Sequence, residues 1–293
     1  MGISLKKGDV IGVAAPSARF DRTLFDKGLM CLENMGFRTR VHEGIFGKLR
    51  YLAGTDRERA DIVNRLFADP EVKAVISVRG GFGAMRILAY MDWESVRRNP
   101  TLFIGFSDAT ALISALTQEA GIEAVHGPNL VSLAKANQVT RDGFYRTVTG
   151  RLAEITITGA QRITGGRAEG RFVGGNLATL VHMVGTPFQP DFSGGILFLE
   201  DVGEPAYKID RMLSQMKMAG CFDTIKGVVT GSFEDCANSD YIPEIISEIF
   251  GDRNIPVMMG LAAGHGETNL SLRMGQRVVM EADRSRIQWE NAG

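Results

Sequence analysis

The stretch Phe103-Ile104-Gly105-Phe106-Ser107-Asp108-Ala109-Thr110 ends an apolar run in Gly-x-Ser and passes at once into a helical pattern. A serine at a strand–turn–helix junction has its hydroxyl pushed clear of the sheet, and the following backbone N–H points toward the same place. The helix N-terminus carries partial positive charge there, which favours an oxyanion. That is one way to expose a nucleophile. The other reading is that Ser107 or Asp108 caps the helix, as both residue types commonly do. Gly-x-Ser without a second glycine does not decide between the two.

A second junction of the same kind is Val78-Arg79-Gly80-Gly81-Phe82-Gly83. It fits three readings: an anion-binding loop at a helix start, a plain tight turn, or a turn lending an N–H to an oxyanion hole. In the last case Gly80 and Gly81 face Ser107, and Arg79 is free for a substrate carboxylate. The spacing matches neither GxGxxG nor a Walker loop.

A serine nucleophile needs a base, and histidine is the usual one because its pKa lies near neutrality. His42, beside a strand, and His182, inside the helical run 177–184, read as structural. His126 ends the run 122–125 and leads into Gly127-Pro128-Asn129. His265 sits in Ala262-Ala263-Gly264-His265-Gly266-Glu267, where flanking glycines leave its ring unhindered. His265 is the first candidate and His126 the second. The base in turn needs an orienting carboxylate. Leu197-Phe198-Leu199-Glu200-Asp201 places two acids after an apolar run, where an unpaired carboxylate is costly. Glu200 or Asp201 therefore demands a partner, either an imidazolium or Lys208 or Arg211 on the next helix. Glu204 stands just past the turn, and Asp108 is explained as a helix-start acid.

These side chains must be positioned by regular elements. Strands are predicted over 10–15, 72–78 and 101–106, and helices over 23–35, 55–68 and 108–118, with Thr55 and Glu58 as a capping box. Such alternation implies a parallel sheet with helices on both faces and ligands beyond the carboxyl ends of the strands. Residues 135–170 are polar and hold only a weak helix and a short strand over 154–158. Beyond them Gly174-Gly175-Asn176 opens a helix, strands follow over 196–200 and 227–230, and helices over 207–218 and 241–250. Short strands are expected near 269–272 and 277–281. The fold class is thus α/β. An N-terminal domain over 1–140 has a mostly parallel sheet and flanking helices, 141–168 is a linker, and 169–293 is a mixed α/β domain.

Thirty-three basic against 34 acidic residues leave a net charge of -1, so neither nucleic acid nor a membrane surface is an expected partner. No apolar run approaches the ~20 residues of a membrane helix, and no signal-peptide core follows Lys6-Lys7. Cys31, Cys221 and Cys236 are too scattered for a disulfide framework or a CxxC metal site and suit a reducing cytoplasm. No metal or other cofactor is expected.

The stretches VAAPSA (13–18), VRGGFGAMRIL (78–88), FIGFSDATAL (103–112), HGPN (126–129), GRFVGGNLATL (170–180), LFLEDVGEPAYKIDRML (197–213) and GHGETNLSLRMG (264–275) resemble, in order, the serine LD-carboxypeptidase family. This is also the muramoyl-tetrapeptide carboxypeptidase family, and it includes the microcin C self-immunity peptidases. The resemblance spans nearly the whole chain. It implies a triad of Ser107, Glu200 and His265, with oxyanion donors at the N–H groups of Asp108 and of a glycine of the Gly80-Gly81 turn, taken as Gly81. It further implies release of terminal D-alanine from murein tetrapeptides through an acyl-enzyme, in cell-wall recycling, by a cytoplasmic homodimer. An exopeptidase must hold a free carboxylate, for which Arg79 is the first candidate and Arg171 the second, with Gly80 also at the substrate.

Three rivals stand beside this reading. A microcin C-type peptidase would cleave aminoacyl-nucleotide amides, but Trp93 and Trp289 lie in no obvious cleft loop for base stacking. A non-catalytic sugar- or nucleotide-binding module would use the 80–83 loop. An amidotransferase-like domain would want a cysteine at the elbow.

Overall fold

A computed structural model of the chain describes residues 3–290. Its strands are, in order, β1 (Val10–Ala14), β2 (Arg38–Val41), β3 (Val72–Ser77), β4 (Leu102–Gly105), β5 (Ala124–His126), β6 (Glu154–Thr156) and β7 (Gln161–Thr164). Then come β8 (Arg167–Asn176), β9 (Ile196–Val202), β10 (Gly227–Glu234), β11 (Val257–Met259), β12 (Leu272–Met274), β13 (Arg277–Glu281) and β14 (Arg286–Trp289).

They form a six-stranded sheet, ordered β12-β5-β4-β3-β1-β2, and an eight-stranded sheet, ordered β6-β14-β13-β8-β9-β10-β11-β7. The first is parallel except for β12, which pairs antiparallel with β5. The second has a parallel centre, β8 to β11, between antiparallel margins. Apolar runs such as VIGVA in β1 are buried throughout, as a strand covered on both faces requires. The helix Asp56–Ala68 starts on the expected capping box, with the Thr55 N–H donating to the Glu58 carboxylate at 2.8 Å and the Glu58 N–H to Thr55 Oγ1 at 3.3 Å.

The α/β reading holds, and two features differ from the expected organisation. Residues 141–168, expected as a linker within a stretch holding a weak helix and one short strand, are built into the fold: the helix Gln138–Val148 runs into them, and β6 and β7 occupy opposite edges of the second sheet. β6 answers to the short strand expected over 154–158, whereas β7 is a short, largely polar run paired with β11 far along the chain, so no local pattern marks it. Also, the C-terminal segment returns to the first sheet through β12, placing Leu272 opposite His126 and Met274 opposite Ala124.

One continuous core joins the sheets, from Val13 and Phe103 in the first to Phe172 and Phe198 in the second. A separate cluster packs Leu197 and Leu199 against the helices Leu177–Met183 and Ala206–Met218. Side chains alternate along β9, so Ile196, Phe198 and Glu200 face the first sheet while Leu197, Leu199 and Asp201 face the helices. Among the described residues, no helix is long and apolar enough to cross a membrane.

Candidate active site

Ser107 follows β4 with φ of +61°, a left-handed conformation that costs a non-glycine residue about 1–3 kcal/mol. Neither it nor Asp108 caps the helix that follows: the short turn Ser107–Ala109 and the helix Thr110–Glu119 begin without a side-chain cap. The capping reading therefore fails. Asp108 instead accepts the N–H of Ala84 at 2.8 Å, at the start of the helix Ala84–Ile87, and so ties the glycine loop after β3 to the serine turn. Burial pushes the Asp108 carboxyl up against the hold of that N–H. Gly80 lies flat on the serine. A Cβ there would stand 2.7 Å from Ser107 Cβ, 2.8 Å from its Oγ and 3.4 Å from the Asp108 nitrogen.

The second sheet brings Glu200, fully buried at the end of the apolar run in β9. Its Oε2 is 2.6 Å from His265 Nδ1. Gly264 makes this approach possible: at φ +109°, a Cβ would stand 2.5 Å from Glu200 Oε2, so only glycine lets the loop settle on the carboxylate. Asn269 Oδ1 and Ser232 Oγ hold the loop by accepting the N–H groups of Gly264 and Gly266, each at 3.0 Å. The ring of Phe106, the residue before Ser107, lies 4.8 Å from the His265 ring, so the imidazole packs beside the end of the strand that leads into the serine. With Nδ1 on Glu200, its Nε2 points away from the carboxylate.

Burial opposes the charge on Glu200, but the imidazoles of His126 and His265 outweigh it and hold the carboxyl down at about 2. Burial likewise opposes an imidazolium at His265. There the Glu200 hydrogen bond and charge, with a contribution from Asp201, raise the pKa above the ordinary value. An ionised carboxylate in dry surroundings behind an imidazole that is readily protonated can assist removal of a hydroxyl proton.

Of the remaining candidates, only His126 contacts the Glu200–His265 pair as a third partner. Asp201 accepts hydrogen bonds from Asn176 Nδ2 at 2.9 Å and from the N–H groups of Ala178 and Val202 at 2.8 Å, on the opposite face of β9 from Glu200. Burial pushes it up to about 6, with Glu200 adding to the rise and those donors opposing it. Lys208 pairs with Glu204 at 3.2 Å and Arg211 lies over Tyr207, so the expected alternative of a salt bridge from Glu200 to the next helix is not formed. His42 accepts the N–H of Gly44, and His182 Nδ1 lies against the Ala178 carbonyl. His126 is fully buried behind the site.

Arg79 is exposed beside Gly80 and donates to the Arg19 carbonyl at 3.2 Å. Arg171 pairs with Asp191 at 3.4 Å. It lies five positions before Asn176 on β8, about 17 Å back along an extended strand, and is not brought to Ser107.

A cavity of about 460 Å³ opens at Ser107, lined by Gly81, Phe82, Asn176, Asp201 and Glu204. Another of about 280 Å³ borders His265 and is lined by Lys135 and Asn269. Asn176 was missed as a cavity residue, although its position at a helix start was legible. It caps the helix Leu177–Met183, and its N–H donates to Thr110 Oγ1 at 3.1 Å, joining the two halves.

Residues 11–127 match the model of the LD-carboxypeptidase N-terminal domain, and residues 169–280 that of the LD-carboxypeptidase C-terminal domain. A probable murein peptide carboxypeptidase of Bacillus subtilis is 34% identical, over 94% of this chain and 90% of its own. A murein tetrapeptide carboxypeptidase of Pseudomonas aeruginosa is 32% identical over 94% of each chain. The solved structure of MccF in complex with glutamyl sulfamoyl guanosine matches with a TM-score of 0.91 at 26% identity, over 99% of this chain and 98% of that one.

Proposed function

Because the chain belongs to the LD-carboxypeptidase family, we propose that it releases the terminal D-alanine of murein tetrapeptides, with Ser107 as nucleophile, His265 as base and Glu200 as the orienting acid. The observation that carries this is the 2.6 Å Glu200–His265 contact, with the His265 ring packed against Phe106, the residue before a serine held at φ +61°. His265 Nε2 takes the Ser107 proton as Oγ attacks the amide carbon between the L-centre of meso-diaminopimelate and D-alanine. The N–H groups of Gly81 and Asp108 receive the oxyanion. His265 then hands its proton to the leaving amine, D-alanine departs, and water activated by the same ring releases the acyl-enzyme.

The base that protonates the leaving amine must border it, so the alanine carboxylate lies on the His265 side. Lys135 in the adjoining cavity and Arg79 beside Gly80 are the cations proposed for it. The enzyme is proposed to act in the cytoplasm as a homodimer, a reading supported by its scattered free cysteines and by the family resemblance.

The test is mass spectrometry of a murein tetrapeptide digest. Loss of one alanine by the unsubstituted enzyme, and none by Ser107→Ala, is expected. An unchanged tetrapeptide, or an active Ser107→Ala protein, would sink the reading. The likeness to MccF bound to glutamyl sulfamoyl guanosine supports a second substrate class, aminoacyl-nucleotide amides. A parallel incubation with processed microcin C separates the two.

A further inference from the structure

We propose that His126 is a positioning residue, whose ring holds Glu200 from the side away from His265 and keeps Oε2 aimed at His265 Nδ1. It ends β5 with its side chain wholly buried, and neither ring nitrogen has a hydrogen-bond partner. Phe198 and Phe106 present their rings edgewise to it at centroid distances of 5.1 and 6.1 Å. The polar atom that faces it is Glu200 Oε1, 3.8 Å from Nε2, itself buried and without a hydrogen bond.

An unpaired buried polar group costs about 1–3 kcal/mol, so two that face each other in an apolar box stabilise one another. At 3.8 Å the contact is longer than a hydrogen bond, and its hold is electrostatic, an N–H dipole on a carboxylate in dry surroundings. The carboxylate is thereby divided between two rings, Oε2 to His265 and Oε1 to His126. The titratable groups around it are His126 from β5, His265 from the loop before β12, and Asp201 next along β9. The strand pair carries both rings: Leu272 of β12, opposite His126, follows the His265 loop.

The proposal rests on the Ser107–His265–Glu200 reading, and its test keeps the two apart. His126→Phe removes both nitrogens while retaining a ring, and His126→Gln returns an N–H donor near the place of Nε2. His126→Phe is expected to lower kcat by about 10- to 100-fold, the range typical of groups that orient a ligand, with KM within about twofold. The acid limb of its pH–rate profile should move down toward the ordinary imidazole value, as His265 loses a well-aimed carboxylate. His126→Gln should restore most of kcat and return the limb.

A His126→Phe protein with unchanged kcat and limb would overturn the proposal while Ser107→Ala stayed inactive and the triad stood. So would equal losses in both variants with an unmoved limb, which is the signature of packing alone. An active Ser107→Ala protein, by contrast, would remove the triad reading itself. Should His126→Phe not fold, ¹⁵N-histidine NMR of the unsubstituted enzyme decides. A proton on His126 Nε2 whose resonance moves on Glu200→Gln is expected, and a ring protonated on Nδ1 alone and indifferent to that substitution refutes it.

Discussion

Ser107 keeps a left-handed backbone that glycine would adopt freely. Ser107→Gly is expected to raise stability by about 1 kcal/mol, read from the urea midpoint, and to abolish hydrolysis. Ser107→Ala keeps a Cβ in the same conformation, so its stability should hardly change while kcat falls by about 10⁶. The pH profile follows from the neighbouring pair. His265 must be neutral to accept a proton, and Glu200 raises its pKa, so kcat/KM should rise with pH through a value above the ordinary ~6.5. In Glu200→Gln that limb should move down, with a much lower plateau. The sign for stability is the reverse: the raised His265 pKa adds stability below about pH 6.5, and the gain is lost as pH climbs through the folded value. The parts of this candidate site were legible as a serine at a strand–helix turn and a glycine-flanked histidine, while their joint role came only from the family resemblance. The choice of Glu200 over Asp201 was open from their adjacency. It is made by the two-residue period of β9, which turns only one of them toward His265. Arg171 misled because a guanidinium's type says nothing about its distance along a strand.

The helix Asp56–Ala68 shows what an element contributes beyond its own stability. Its Arg59 is buried, and the guanidinium donates to the Pro16 carbonyl and to the Gly83 carbonyl at 2.9 Å, while Asp56 shares its charge. One side chain thus straps the turn after β1 to the glycine loop after β3. Burial lowers the Arg59 pKa against the pull of Asp56, the expected state of a guanidinium taken out of water. Arg59→Met leaves two carbonyls and a carboxylate without their partner. It should cost about 3 kcal/mol in a denaturant titration and lower kcat more than it raises KM, since the strapped loop carries the proposed oxyanion donor. The capping box of this helix could be read from Thr55 and Glu58, three positions apart. Arg59 could not, because in Arg57-Glu58-Arg59-Ala60-Asp61 it is one charge among several, and only the loops that fold over it show which is buried.

At the scale of the molecule, the two family domains share one continuous core beside a separate cluster in the later domain, and β12 stitches the later one into the sheet of the earlier. Calorimetry should therefore give one unfolding transition. Two resolved transitions would contradict a shared core. The alternation of strands and helices revealed the parallel sheet and its carboxyl-end site. The returning strand stayed hidden, since Leu272–Met274 has nothing in its residues to say which of two sheets it joins.

That returning strand also sets how the enzyme should wear out. β12 shields β5 and is the anchor on which the His265 loop ends. If it peels away on warming, the imidazole departs and a bare strand margin is left open to other chains. Silencing and clumping would then share a trigger, so heat-killed enzyme should come out of solution rather than recover on cooling.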